Sequence, residues 1–195
     1  PGAVPDSMPD DIADPVRGGH LVRSLPHFGA ADNLELLDDE LRRRTVSFDR
    51  AGDGRFELVF GFRDGRAAQI TALRWTDADG TREDQRLGSL EVDVSTDGPL
   101  GPWSSLGPWA LERAGDGSVS PYVLDAPAWA RYVRLSTQVD PEEVRTIEIP
   151  GRLDILERTP DSEYRSILGE WGYAQPAGPF EWSAADERQV IVVGP

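Results

Sequence analysis

The sequence predicts an all-β sandwich or barrel. Three observations point there: short runs with period-two alternation of apolar and polar residues, turn residues between them at short spacing, and no convincing helix of ordinary length. "HLVRSLPHF" offers a first short strand, and "NLELLDDELRRRTVSF" reads as a helical turn leading into a second. "RFELVFGF" sets Phe56, Leu58 and Phe60 against Glu57, Val59 and Gly61. "AAQITALRW" sets Ile70, Ala72 and Arg74 against Thr71, Leu73 and Trp75, and "SLEVDVSTDG" sets Leu90, Val92 and Val94 against Glu91, Asp93 and Ser95. Side chains alternate across a strand, so each run has one face for a core. "YVLDA", "ARYVRLST", "VRTIEI" and "RLDILER" follow, for about eight strands in all. The pentapeptide "RAGDG" occurs at 50–54 and again at 113–117. Its Asp-Gly step supplies the positive φ of a hairpin turn, so the repeat predicts two similar turns rather than duplicated modules.

A chain of 195 residues, 38% of them hydrophobic, suits one substantial core. Residues 1–17 are acidic and rich in proline, which predicts an arm or linker. Residues 18–158 carry the sandwich. Residues 159–195 form an extension with Trp171 and Trp182 that is expected to pack on the sandwich or a partner, because tryptophans in a loose tail are a liability.

The formal net charge is −15, a field that repels phosphate backbones and anionic membrane surfaces; nucleic-acid binding and membrane insertion are not expected. All 20 basic residues are arginine, which reads as the codon bias of a GC-rich genome. Cysteine is absent, which excludes disulfides and thiolate metal sites. The chain starts at Pro1 rather than methionine, which predicts a processed product or an excised domain.

Motifs for chemistry are missing. There is no phosphate-cradling loop, no HExxH, no GxSxG and no GxGxxG following a strand. His20 and His27 are the only histidines and lack a third ligand nearby. "DADGTRED" at 77–84 reads as a polar hairpin loop. An enzyme is not expected. The aromatics are more informative: "GPLGPWSSLGPWALE" places Trp103 and Trp109 in a Gly- and Pro-rich loop, and Trp129 stands just before a strand. Such rings either cap the core or offer flat faces to sugar C–H groups, with arginine and aspartate bonding the hydroxyls.

The order of pieces resembles the discoidin, or coagulation factor V/VIII type C, family. The matching segments are "LLDDELRRRTVSF", "RFELVFGFRDGRAAQITALRW", "LEVDVSTDGPLGPW", "ARYVRLST" and "RLDILER", over about residues 18–158. The resemblance implies a galactose-binding-like jelly-roll β-sandwich in which "ARYVRL" is a central strand. Tyr132 and Val133 are then expected to fill the interior, and at least one of Arg131 and Arg134 to pair with a carboxylate, since a buried lone guanidinium is too costly. It also implies a non-catalytic module, outside the cell or in its envelope, that binds glycans, lipid head groups or proteins through loops at one end.

For this chain the expectation is carbohydrate recognition as part of a larger protein, with a structural or protein-interaction domain as the alternative. The expected ligand-binding residues are Trp103, Trp109 and Trp129 for stacking and Arg131, His27 and Phe28 beside them. A structural calcium ion is the one cofactor the resemblance implies, and Asp38, Asp39, Thr45 and Asp154 are the positions that would hold it. The chain departs from the family there: the usual Asp-Gly-Asn is Asp-Asp-Glu, and Arg42, Arg43 and Arg44 follow closely.

Overall fold

A computed structural model describes residues 10–27, 45–49, 52–144, 146–149 and 151–158. The chain divides into two compact units, residues 1–159 and 160–195, and every described residue lies in the first. Trp171 and Trp182 fall outside the described residues.

Eleven strands are described: β1 (Asp10–Asp11), β2 (His20–Leu25), β3 (Thr45–Ser47), β4 (Arg55–Gly61), β5 (Ala68–Thr76), β6 (Ser89–Ser95), β7 (Ser104–Ala110), β8 (Tyr122–Ala130), β9 (Tyr132–Gln138), β10 (Thr146–Glu148) and β11 (Arg152–Glu157). They form antiparallel sheets in the orders β1-β11-β5-β8 and β2-β4-β9-β6-β7, with β3 and β10 as a separate pair. The all-β expectation holds.

The core lies where the alternation put it. Phe56, Leu58 and Phe60 of β4 meet Thr137, Leu135 and Val133 of β9 in register, and Val92 and Val94 of β6 meet Leu135 and Val133 from the other side. All but Thr137 are buried, and full burial of each large apolar side chain is worth about 1.5–3 kcal/mol. β9 is the middle strand of five, as the resemblance implied.

Four expectations need correction. Val133 is fully buried but Tyr132 is not, because neighbours on a strand point to opposite faces. The alternation of β5 changes phase at a register shift between Ile70 and Ala72, so Ala68 and Ile70 are buried before it and Leu73 and Trp75 after it. The "SSLGPWA" stretch is strand β7 rather than a loop; its proline is tolerated because β7 lies at the sheet edge. The sandwich also begins before residue 18: β1 pairs with β11, Ile12 and Ala13 are buried, and Asp11 Oδ1 accepts from Ile155 N at 2.9 Å and Ala13 N at 3.0 Å.

Candidate functional site

Antiparallel register fixes which loops share an end of the five-stranded sheet. β2 and β9 finish, and β4 and β6 begin, at one end; β2 and β9 begin, and β4 and β6 finish, at the other. His27 follows β2 at the first end. Trp103, which precedes β7, and Arg131, between β8 and β9, belong to the second. The fold therefore separates residues that the sequence analysis grouped.

The tryptophans have different fates. Trp109 is 2% exposed, packed edge-on against Trp75 with centroids 6.4 Å apart, and its indole Nε1 donates to Ser120 O at 3.0 Å. It has no free face for a sugar and is a core residue. Trp103 is half-buried, with the Arg134 guanidinium 4.6 Å from its ring centroid. Arg134 in turn donates to Asp93 Oδ2 through Nε at 3.1 Å and Nη2 at 2.9 Å. The carboxylate partner expected for one of the two arginines is thus Asp93, directly opposite Arg134 across β6 and β9. On the same sheet face, fully buried Glu57 accepts from Arg23 Nε at 2.7 Å and Arg55 Nη2 at 2.5 Å. These arginines hold the sheet's own carboxylates.

Trp129 is half-buried on β8 opposite Gln69, and Arg131 is half-buried with its backbone N–H donating to Ser95 O at 2.8 Å. His27 is exposed, and Phe28 lies outside the described residues.

For calcium, Asp38 and Asp39 lie outside the described residues. Thr45 is exposed on β3 opposite Glu148, whereas Asp154 lies on β11 in another sheet, where Arg152 Nε donates to its Oδ1 at 2.5 Å. A carboxylate gripped by a guanidinium is a poor ligand for a hard cation. Among the described residues no group of three or more His, Cys, Asp or Glu side chains is placed to hold a metal ion.

A cleft of about 300 Å³ opens at the first end of the sheet, between the segment leading into β6 and the turn after β9. Its floor is aliphatic: half-buried Val139 and Val144 beside the buried core residues Leu87 and Ile147. Its rim is polar: Arg86 and Ser89 on one wall, Thr137, Gln138 and Asp140 on the other.

Both walls are pinned. Arg113 donates from Nη1 to Leu87 O at 3.0 Å and to Leu111 O at 2.8 Å, and Leu111 N donates to Gly88 O at 2.9 Å. Asp77 holds that arginine and accepts from Trp75 Nε1 at 3.0 Å, so the wall is tied to a core tryptophan. Arg86 Nε stands 3.6 Å from Asp77 Oδ2. Burial pushes the Asp77 carboxyl up, but the bonds from Arg113 and Trp75 and the two cationic neighbours hold it below the ordinary carboxylate range.

On the second wall Val139 N donates to Gly54 O at 2.9 Å, and Gln138 Nε2 donates to Asp53 O. Gly54 has φ +66°, and a Cβ there would stand 1.9 Å from Val139 O, so only glycine permits this approach. Asp140 closes the turn by accepting from Glu142 N at its Oδ1, 2.8 Å away, and from Val144 N at its carbonyl, 2.7 Å away. None of the residues lining the cleft was singled out from the sequence. The one local signal was "QVDPEE", polar turn chemistry straight after a central strand.

The architecture is that of the galactose-binding-like β-sandwiches. Among solved structures the chain is similar to CBM32-3 from a family 31 glycoside hydrolase of Clostridium perfringens, with TM-score 0.59 and 10% identity over 81% of this chain and 100% of that one. It is similar to an F5/8 type C domain from Bacteroides fragilis, with TM-score 0.57 and 12% identity over 79% and 99%. It is also similar to the family 32 carbohydrate-binding module of C. perfringens NanJ, solved with galactose, with TM-score 0.54 and 11% identity over 75% and 98%. At such identities the likeness establishes the fold. No protein-family model matches the sequence, and neither does any curated protein sequence.

Proposed function

We propose that this chain is a non-catalytic carbohydrate-binding module that takes sugar in the cleft between the β6 and β9 ends. The observation that carries the reading is the cleft itself: an aliphatic floor under a polar rim, between walls pinned before any ligand arrives. A pyranose needs both, since its C–H face packs on apolar surface while its hydroxyls take hydrogen bonds. The fold supports the reading, because one structural neighbour was solved with galactose and another with GalNAc-β-1,3-galactose.

Among the described residues no aromatic ring lines the cleft, so the contact area they offer is modest. At about 0.3 kcal/mol for each of a hexose's dozen or so heavy atoms, one sugar binds at about millimolar Kd. Useful affinity then comes from several modules or several sugar residues acting together.

A thermal melt of the whole chain across a panel of simple sugars, with calcium and with EDTA, tests this. A ligand that binds only the folded state raises the melting temperature by mass action. A sugar-dependent rise is expected. No rise with any sugar, at concentrations well above millimolar, overturns the proposal and favours a protein-docking role.

A further inference from the structure

We infer, on the carbohydrate-binding reading above, that the cleft takes one uncharged hexose residue and turns away uronic and sialic acids. Size sets the first part: about 300 Å³ is at the small end of ligand pockets and suits a single ring.

Charge sets the second. Among the described residues lining the cleft, Arg86 is the one cation; Asp77, 3.6 Å from it, is already paired with Arg113, so that pair cancels and Arg86 is set against the acids of the opposite wall. Asp140 stands on the opposite wall, and exposed Glu142 and Glu143 follow in the same turn. A sugar carboxylate would enter a rim that is net negative, in a chain whose net charge is −15. Hydroxyls meet no such barrier: Arg86 donates, Asp140 accepts, and Ser89 and Thr137 do either. Repulsion of the wrong ligand thus supplies the specificity that the small contact area cannot.

The test is an amide-resolved NMR titration of the whole chain with three hexoses and their uronic acids: galactose, glucose and mannose against galacturonic, glucuronic and mannuronic acid. The expected result is movement at residues 86–89 and 137–140, with the uronic acid at least about tenfold weaker than its hexose at about 10 mM salt. Raising salt to about 1 M, where the screening length falls to about 3 Å, should close the gap to about threefold. Glu142→Gln with Glu143→Gln should narrow it too, while hexose affinity stays within about twofold, because both side chains sit on the rim turn outside the cleft lining. A uronic acid that binds as tightly as its hexose overturns the inference. Sugar-induced shifts confined to other residues overturn the cleft as the site but leave carbohydrate binding standing. No shift with any sugar overturns both.

Discussion

Arg113 grips Asp77 with both sides of its guanidinium, Nε to Oδ2 at 2.6 Å and Nη2 to Oδ1 at 3.0 Å, while its Nη1 holds the Leu87 and Leu111 carbonyls. Both side chains are about 15% exposed. The pair therefore joins three segments: the loop after β5, the wall before β6 and the strand end after β7. Removing one partner leaves a largely buried charge and unpaired carbonyls, so Arg113→Ala should cost about 2–4 kcal/mol in chemical denaturation. Arg113→Lys keeps the charge but loses the fork, and should recover less than half of that loss.

Two carboxylates give stability opposite dependences on pH. Asp77 is held below its ordinary range, so its contribution is full above the unfolded pKa of about 3.9 and is lost as pH falls through the lower folded value. Asp11 is pushed up to about 6, chiefly by burial and partly by nearby Asp154, against the lowering effect of its two backbone donors. The fold therefore favours protonated Asp11. Its contribution is present at low pH and fades as pH rises from about 4 through about 6. Asp11→Asn keeps an oxygen for Ile155 and Ala13 without the charge. It should be more stable than the parent at pH 7, by up to about 2–3 kcal/mol, and close to it at pH 4. Denaturation at both pH values measures the difference; equal effects at both would contradict the assignment.

Trp109 and Trp103 separate burial from binding. Trp109→Ala removes a core ring and should cost about 3–5 kcal/mol. Trp103→Ala loses the stack on Arg134 and should cost about 1–2 kcal/mol. Because Trp103 lies at the end of the sheet away from the cleft, the variant should bind sugar as the parent does, checked by the same titration.

The parts of the fold that were legible in the sequence are those where one strand face is apolar and the other is not. β4 and β6 show this most clearly: every residue that the alternation assigned to the core, Phe56, Leu58 and Phe60 and Leu90, Val92 and Val94, is buried, although Glu57 and Val59 of β4 and Asp93 and Ser95 of β6 are buried on the other face too. β1 was hidden because two aspartates carry no apolar period; what places it is a ladder to β11, almost at the other end of the described chain. β7 was hidden by glycine and proline, which an edge strand tolerates. Trp103 and Trp109 look alike in sequence, and only the sheet decides which of them is core. The cleft was illegible for a different reason. Its walls lie about fifty residues apart along the chain, its polar members are common surface residues, and their meeting depends on the antiparallel pairing of β6 with β9.

The most direct measurement uses Gly88. A Cβ there meets nothing within 4 Å, and the backbone needs no positive φ, so Gly88→Phe should fold with an unchanged melting temperature while setting a bulky ring on a residue that lines the cleft. Parent and variant are compared for binding to an array of glycans. Binding by the parent that is abolished in folded Gly88→Phe is the predicted result; binding retained by the variant, or none by the parent, would contradict the cleft as a carbohydrate site.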